Sequence, residues 1–137
     1  MDCIFCKIVA GTVPCFKVYE STSVLAFMDI NPLSEGHVLV IPKMHAANVW
    51  EIDETSIRDT AAAARMVSLG MRKVLSLDSM SLIQSNGTGA LQSVDHFHFH
   101  LVPRKVGDDI PWDWPLNPGN RDKIKATADK IALALKA

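Results

Sequence analysis

Between positions 16 and 42 the apolar residues fall into short runs broken by turn formers. Phe16–Glu20 and Val24–Ile30 predict two strands joined at Ser21-Thr22-Ser23, with Pro14 ahead of the first, where a missing N–H matters least. Asn31-Pro32-Leu33-Ser34-Glu35-Gly36 is rich in turn residues and predicts a loop. His37-Val38-Leu39-Val40-Ile41-Pro42 is almost wholly apolar, as expected of a central strand. Ile57, Ala61, Ala64, Val67, Met71 and Val74 then recur at helical spacing, so a long helix with one apolar face follows. Asp53 or Ser56 can cap it, and it should end near residues 76–78. Gly70 costs ~1 kcal/mol inside it, which close packing on the sheet would explain. Ser81–Ser85 predicts a strand. A final helix, capped by Asn120, turns Ile124, Ala128, Ile131 and Leu135 inward. At the other end, Ile4, Phe5 and Ile8 share the face of a short helix that Gly11 can close.

The strongest alternation lies in Asp95-His96-Phe97-His98-Phe99-His100-Leu101-Val102-Pro103. Period two is the signature of a strand, with His96, His98 and His100 on one face and Phe97 and Phe99 on the other. With this strand the chain has five strands, one long helix and one terminal helix, without βαβ alternation. That predicts a single α+β domain over residues 1–137, built on an antiparallel sheet. A strand rises ~3.3 Å per residue, so His96 and His100 stand ~13 Å apart. A zinc–nitrogen bond is ~2 Å, so one ion cannot hold both, and the row must divide its tasks or have none.

Composition narrows the classes. The chain has 137 residues, 48% of them hydrophobic, enough to bury a real core in one domain. Its net charge is −1, which argues against a nucleic-acid or membrane surface acting through bulk electrostatics. No apolar run approaches the ~20 residues of a membrane span. Met1-Asp2-Cys3 opens without a basic segment and long apolar stretch, so no signal peptide is expected. Three cysteines argue against a disulfide framework and for a reducing cytoplasm.

Several residues have both a chemical and a structural reading. Cys3 and Cys6 are spaced to reach one metal ion, or are two small buried residues. Asp29 ends an apolar run, where it can cap a turn or accept hydrogen bonds from sugar hydroxyls. His37 and His45 flank the central strand and can each be a satisfied core histidine. The loop Asn86–Ser93 holds two glycines and enters the histidine strand directly. It can turn backbone N–H groups toward an anion or simply connect. Trp112 and Trp114 place much aromatic surface on an irregular segment, over the domain's own core, a substrate or a partner subunit.

His98 sits between two other imidazoles on its face, and neighbouring positive charge keeps such a ring neutral near pH 7. A neutral imidazole is a competent nucleophile toward phosphorus. Its other nitrogen must donate a proton to something fixed. His100 can donate to phosphate or leaving group, and Ser93, Gln92 and the loop amides can bind phosphate oxygens.

His96-Phe97-His98-Phe99-His100-Leu101-Val102 resembles the alternating signature of the histidine-triad (HIT) family of nucleotide hydrolases and transferases. Cys3–Ile8, Phe27–Ile30, Gly36–His45 and Asn86–Val94 resemble further segments of its Hint-like branch in the same order. The resemblance implies a HIT-like fold, with a C-terminal extension from about residue 104. It implies that His98 is the nucleophile, with His100, His37, Gln92 and Ser93 contacting phosphate or leaving group. Asp29 would hold the ribose, Ile4, Phe5, Ile8, Phe27, Ile30 and Leu39 would surround the base, and Asn86 would belong to the phosphate loop. Bacterial members of a zinc-containing type bind the ion through positions matching Cys3, Cys6, His45 and His96, which implies a structural zinc. Members are usually homodimers that join two sheets, and their C-terminal segment approaches the partner's site, which would suit Trp112 and Trp114. The chain departs from the family at Leu91, where Gly is common, and at Ser85-Asn86, where either residue can face inward.

The expected activity is hydrolysis of a purine nucleoside 5′-monophosphate conjugate, of phosphoramidate type, at the α-phosphate. A dinucleoside polyphosphate hydrolase is the nearest competitor. A nucleotide-binding interaction module with little turnover and a metal-handling site without catalysis are the non-enzymatic alternatives.

Overall fold

The computed structural model describes residues 2–111 and 113–136. Trp112 lies outside the described residues. The strands are β1 (Lys17–Glu20), β2 (Val24–Met28), β3 (Val38–Pro42), β4 (Ser79–Ile83) and β5 (Phe99–Arg104), and the helices α1 (Ile4–Val9), α2 (Glu54–Leu75) and α3 (Arg121–Leu135). They form one five-stranded antiparallel sheet in the order β1-β2-β3-β5-β4.

β2 and β3 are buried on both faces, which is why their sequences are continuous apolar runs. Val24, Ala26, Met28, Val38, Val40 and Leu101 face α2 and α3. Leu25, Phe27, Leu39 and Ile41 face α1. The strand pleat therefore sorts one core into two layers.

The caps are those expected. Asp53 accepts the Ser56 N–H at α2 and Asn120 the Lys123 N–H at α3. α1 ends in a Schellman turn: Gly11 has φ +81°, and Gly11 and Thr12 donate to Ile8 and Lys7. Three expectations need correction. Ala61 is exposed, and Thr60 is buried instead, its hydroxyl donating to Ser56 O. Gly70 packs against α3 rather than the sheet, because Leu135 fills the space a Cβ would need. Ladder pairing of the histidine strand starts at Phe99, not His96. In this register Phe97 would face Pro42, which has no N–H to give, and the Phe97 N–H donates instead to Ala46 O.

Gly36 sets the entry to β3. It has φ +91°, and Leu75 and the Pro103 ring occupy the place of a Cβ. Gly36→Ala is expected to lower stability by about 1–3 kcal/mol through backbone strain and crowding. Urea unfolding checks this, and an unchanged midpoint would refute it.

Candidate active site

Packing α1 across the sheet leaves a cavity of about 320 Å³. Its apolar wall comes from Ile4, Phe5 and Ile8 of α1, Phe27 of β2 and Leu39 of β3, where the inward face of each element continues past the core. Asp29 and Ile30 lie where β2 runs out, Ser93 lies on the loop before β5, and His98 and His100 complete the lining. Ten of the residues singled out from sequence thus meet in one place.

The hydrogen bonds assign each ring a tautomer. His98 Nδ1 is 2.6 Å from the His96 carbonyl oxygen, which only accepts, so Nδ1 carries the proton and Nε2 the lone pair. His37 Nδ1 accepts the Leu33 N–H at 3.0 Å, so its proton is on Nε2. That Nε2–H lies 2.9 Å from His100 Nδ1 and donates to it. His100 therefore keeps its remaining N–H on Nε2. One ring of the cavity offers a lone pair and its neighbour a proton, with centroids 4.7 Å apart.

Burial supports these neutral forms. It lowers His98 from the ordinary imidazole value. It lowers His37 to about 3 and His100 to about 2, with the neighbouring His98 adding to both. Burial has the opposite sign on a carboxyl and raises Asp29 to about 6, against the Asn31 N–H that its Oδ1 accepts.

Three other expected residues sit outside the cavity lining. His37 is fully buried, behind His100. Gln92 accepts the Gly87 N–H and donates to Ala47 O and Val94 O, closing its own loop. Asn86 Oδ1 accepts the Val49 N–H, and the Asn86 amide exchanges hydrogen bonds with Gln84. Leu91 has φ +65°, a region glycine enters freely and leucine does not.

The sequence reading did not place Val13, Pro14, Cys15, Asn31 or Leu116 at the site, yet all line the cavity. No period or motif marks them, because loops bring them there. Trp114 packs on its own chain. Its ring lies 4.5 Å from that of His100 in the same chain, at the cavity edge.

A second constellation adjoins the first. Cys3, Cys6, His45 and His96 bring their ligand atoms within 4.8 Å of one another. Sulfur-to-nitrogen separations are 3.3–3.6 Å, and the two Nδ1 atoms are 3.2 Å apart. Ligands on one tetrahedral zinc, with bonds of ~2.3 and ~2.0 Å, stand ~3.5 Å apart for S and N and ~3.3 Å for two N. His96 Nε2–H donates to Pro42 O, which leaves its Nδ1 lone pair to the cluster. The set fits zinc. Asp29, His37 and His100 also converge, but there both His37 nitrogens and His100 Nδ1 are spent on hydrogen bonds.

Comparison with known proteins agrees with this geometry. The HIT domain profile matches residues 10–107. Adenosine 5′-monophosphoramidase hnt1 of Schizosaccharomyces pombe is 40% identical over 137 residues, spanning 99% of this chain and 100% of that protein. A Hit-like protein involved in cell-cycle regulation from Bartonella henselae superposes with TM-score 0.90 at 32% identity, over 97% of this chain and 96% of that one. A Zn-bound histidine triad family protein from Mycobacterium smegmatis gives TM-score 0.87 at 31% identity, over 99% and 94%. The α+β architecture is that of these HIT structures. With His98 and His100 on one cavity and His96 in the adjoining cluster, the chain belongs to the HIT domain family.

Proposed function

We propose that this protein hydrolyses nucleoside 5′-monophosphate conjugates, phosphoramidates foremost, at the α-phosphate. The observation that carries the proposal is the pair of opposed tautomers lining one cavity: a lone pair on His98 Nε2 beside a proton on His100 Nε2. The names of relatives such as the S. pombe phosphoramidase support the same reading.

The base enters the apolar slot and the Asp29 carboxylate accepts ribose hydroxyls. His98 Nε2 attacks the α-phosphorus and forms a P–N bond as the P–N bond to the leaving group breaks. His100 Nε2–H donates a hydrogen bond to the departing nitrogen, which leaves as the amine with a proton taken from solvent, so the His100 ring stays neutral. His37 Nε2–H, held by Leu33, steadies the His100 Nδ1 lone pair throughout. Water then attacks the nucleotidyl-histidine, the P–N bond to His98 breaks, a proton passes to solvent, and the nucleoside monophosphate leaves with the His98 Nε2 lone pair restored. Incubation with adenosine 5′-phosphoramidate tests this: AMP release through an AMP–protein adduct is expected, and tight nucleotide binding without either would mark a binding module instead.

Asp29 makes nucleotide affinity pH-dependent. Its folded value is about 6, so it accepts hydroxyls above that pH and loses an acceptor site as pH falls below it. KM for the phosphoramidate should therefore rise on acidification. Asp29→Asn should raise KM about tenfold or more near neutrality, the worth of a charged hydrogen bond, and flatten the pH dependence. Steady-state kinetics across that range would overturn the assignment if KM did not move.

Zinc is the ion we assign to Cys3, Cys6, His45 and His96; bound there it cross-links α1, the segment after β3 and the entry to β5, and takes no part in the chemistry. A homodimer that joins two sheets would use an edge strand, β1 or β4, each of which among the described residues pairs on one side only. Light scattering tests that assembly.

A further inference from the structure

The thiol–imidazole cluster and the cavity share residues. His96 supplies one ligand nitrogen to the cluster, while its carbonyl oxygen holds the His98 Nδ1–H at 2.6 Å. Phe5 lies between Cys3 and Cys6 in sequence, and its ring stands edge-on to both His98, at 5.2 Å between centroids, and His96, at 5.8 Å. Ile4 and Ile8, on the same helix, line the cavity.

The other holds on these two elements do not set the His98 ring: Phe5 packs edge-on against Phe27, and the Phe97 N–H donates to Ala46 O. α1 has six residues, too few to stand alone in water, and its N-cap is the Cys3 sulfur, which accepts the Cys6 N–H at 3.4 Å. His98 precedes the first laddered residue of β5, so strand pairing does not fix it. What fixes it is the His96 carbonyl. His96 in turn is fixed by Pro42 O on one ring nitrogen and by the cluster on the other.

We infer that the Cys3–Cys6–His45–His96 cluster is a positioning site for the cavity: an ion held there sets the orientation of His98 and the place of the α1 wall, so its occupancy governs both turnover and nucleotide affinity. Cys3, Cys6, His45 and His96 touch no substrate; they act through His98 and Phe5. A purely structural ion would raise the melting temperature and leave a folded, ion-free protein equally active. The inference rests on the phosphoramidase reading for its turnover arm only.

The experiment compares zinc-loaded protein with chelator-treated protein at a temperature where circular dichroism shows both folded. Four quantities are read: kcat on adenosine 5′-phosphoramidate, Kd for AMP by calorimetry, the imidazole 15N signals of His98, and metal content. On removing zinc, kcat should fall and AMP Kd should rise, each by about tenfold or more, the scale of lost outer contacts at metal sites. The His98 signals should change from one Nδ1–H tautomer to a mixture. Zinc should restore all three in the wild type and none in Cys6→Ser or His45→Ala.

A folded, zinc-free protein with unchanged kcat, Kd and His98 signals would overturn the inference, as would failure to bind zinc or cadmium at all. Should chelation unfold the wild type, cadmium replaces zinc in the folded protein. Its longer bonds to sulfur must then displace the His98 signals and lower kcat, and no change in either overturns the inference. If zinc-loaded protein releases no AMP, the phosphoramidase reading fails alone, and AMP affinity and the His98 signals still decide the coupling.

Discussion

His98→Ala is expected to abolish turnover on adenosine 5′-phosphoramidate, lowering kcat by on the order of 10⁴-fold or more, as loss of a nucleophile does elsewhere. The AMP–protein adduct should vanish with it. Binding should survive, because Phe5 keeps its edge-on contact with Phe27 and the rest of the apolar wall and Asp29 remain in place. AMP affinity in the variant should therefore stay near that of the wild type, and intact mass after a quench without acid reads the adduct directly. An active His98→Ala protein would move the chemistry to another residue. His100→Ala provides a graded comparison. It removes the hydrogen-bond donor to the leaving group rather than the nucleophile, so it should spare substrates whose leaving group departs without a proton. That split between leaving groups follows from the tautomers: His98 offers only a lone pair to the cavity, and His100 only a proton.

Acidifying the metal-free protein from about pH 7 to about pH 5 is expected to remove at least about 3 kcal/mol of stability, the buried His98 adding in the same direction. His37 falls to about 3 and His100 to about 2 in the fold, against ~6.5 in the unfolded chain. Between those limits the unfolded chain binds a proton at each ring that the folded chain refuses, so stability declines as pH drops. Two such rings lose ~4 kcal/mol by about pH 5, at ~1.4 kcal/mol per proton and pH unit. Asp29 acts in the opposite sense. Its folded value of about 6 exceeds the unfolded one, so the folded state binds the extra proton and regains ~1 kcal/mol over the same range. Chelated protein is used so that release of an ion from His45 and His96 does not contribute. The loss is a large share of the ~5–15 kcal/mol that holds a typical domain. Urea unfolding at several pH values measures it. A loss of only about 1 kcal/mol would mean that one of the two rings is already charged in the fold. His37→Gln should reduce the slope by about one proton.

Much of the fold was legible in the chain itself. Asp53 and Asn120 mark helix starts because their side chains cap N–H groups three residues away, a local requirement that needs no knowledge of the rest. β2 and β3 declare themselves by apolar runs, and the histidine row by its period. The donor set Cys3, Cys6, His45 and His96 came from the family resemblance, since spacing alone offered only Cys3 and Cys6. Errors arose where a neighbour from another element intervened. Ala61 and Thr60 exchange roles by one position on a long helix, and Gly70 answers to Leu135 of α3 rather than to the sheet.

By itself, then, the sequence determined the elements, their caps, the face on which the histidines lie and the chemistry available to them, since these depend on contacts within a few residues. Only the tertiary structure decided which nitrogen of each ring holds a proton, that His37 stands behind His100, that Gln92 and Asn86 tie loops, and that Trp114 covers its own chain's His100. The reason is physical. Each of these is settled by hydrogen-bond partners or packing surfaces beyond the residue's own strand or helix, such as Pro42 O for His96, Ala47 O for Gln92 and His100 for His37, and no local periodicity encodes a contact that folding alone brings about.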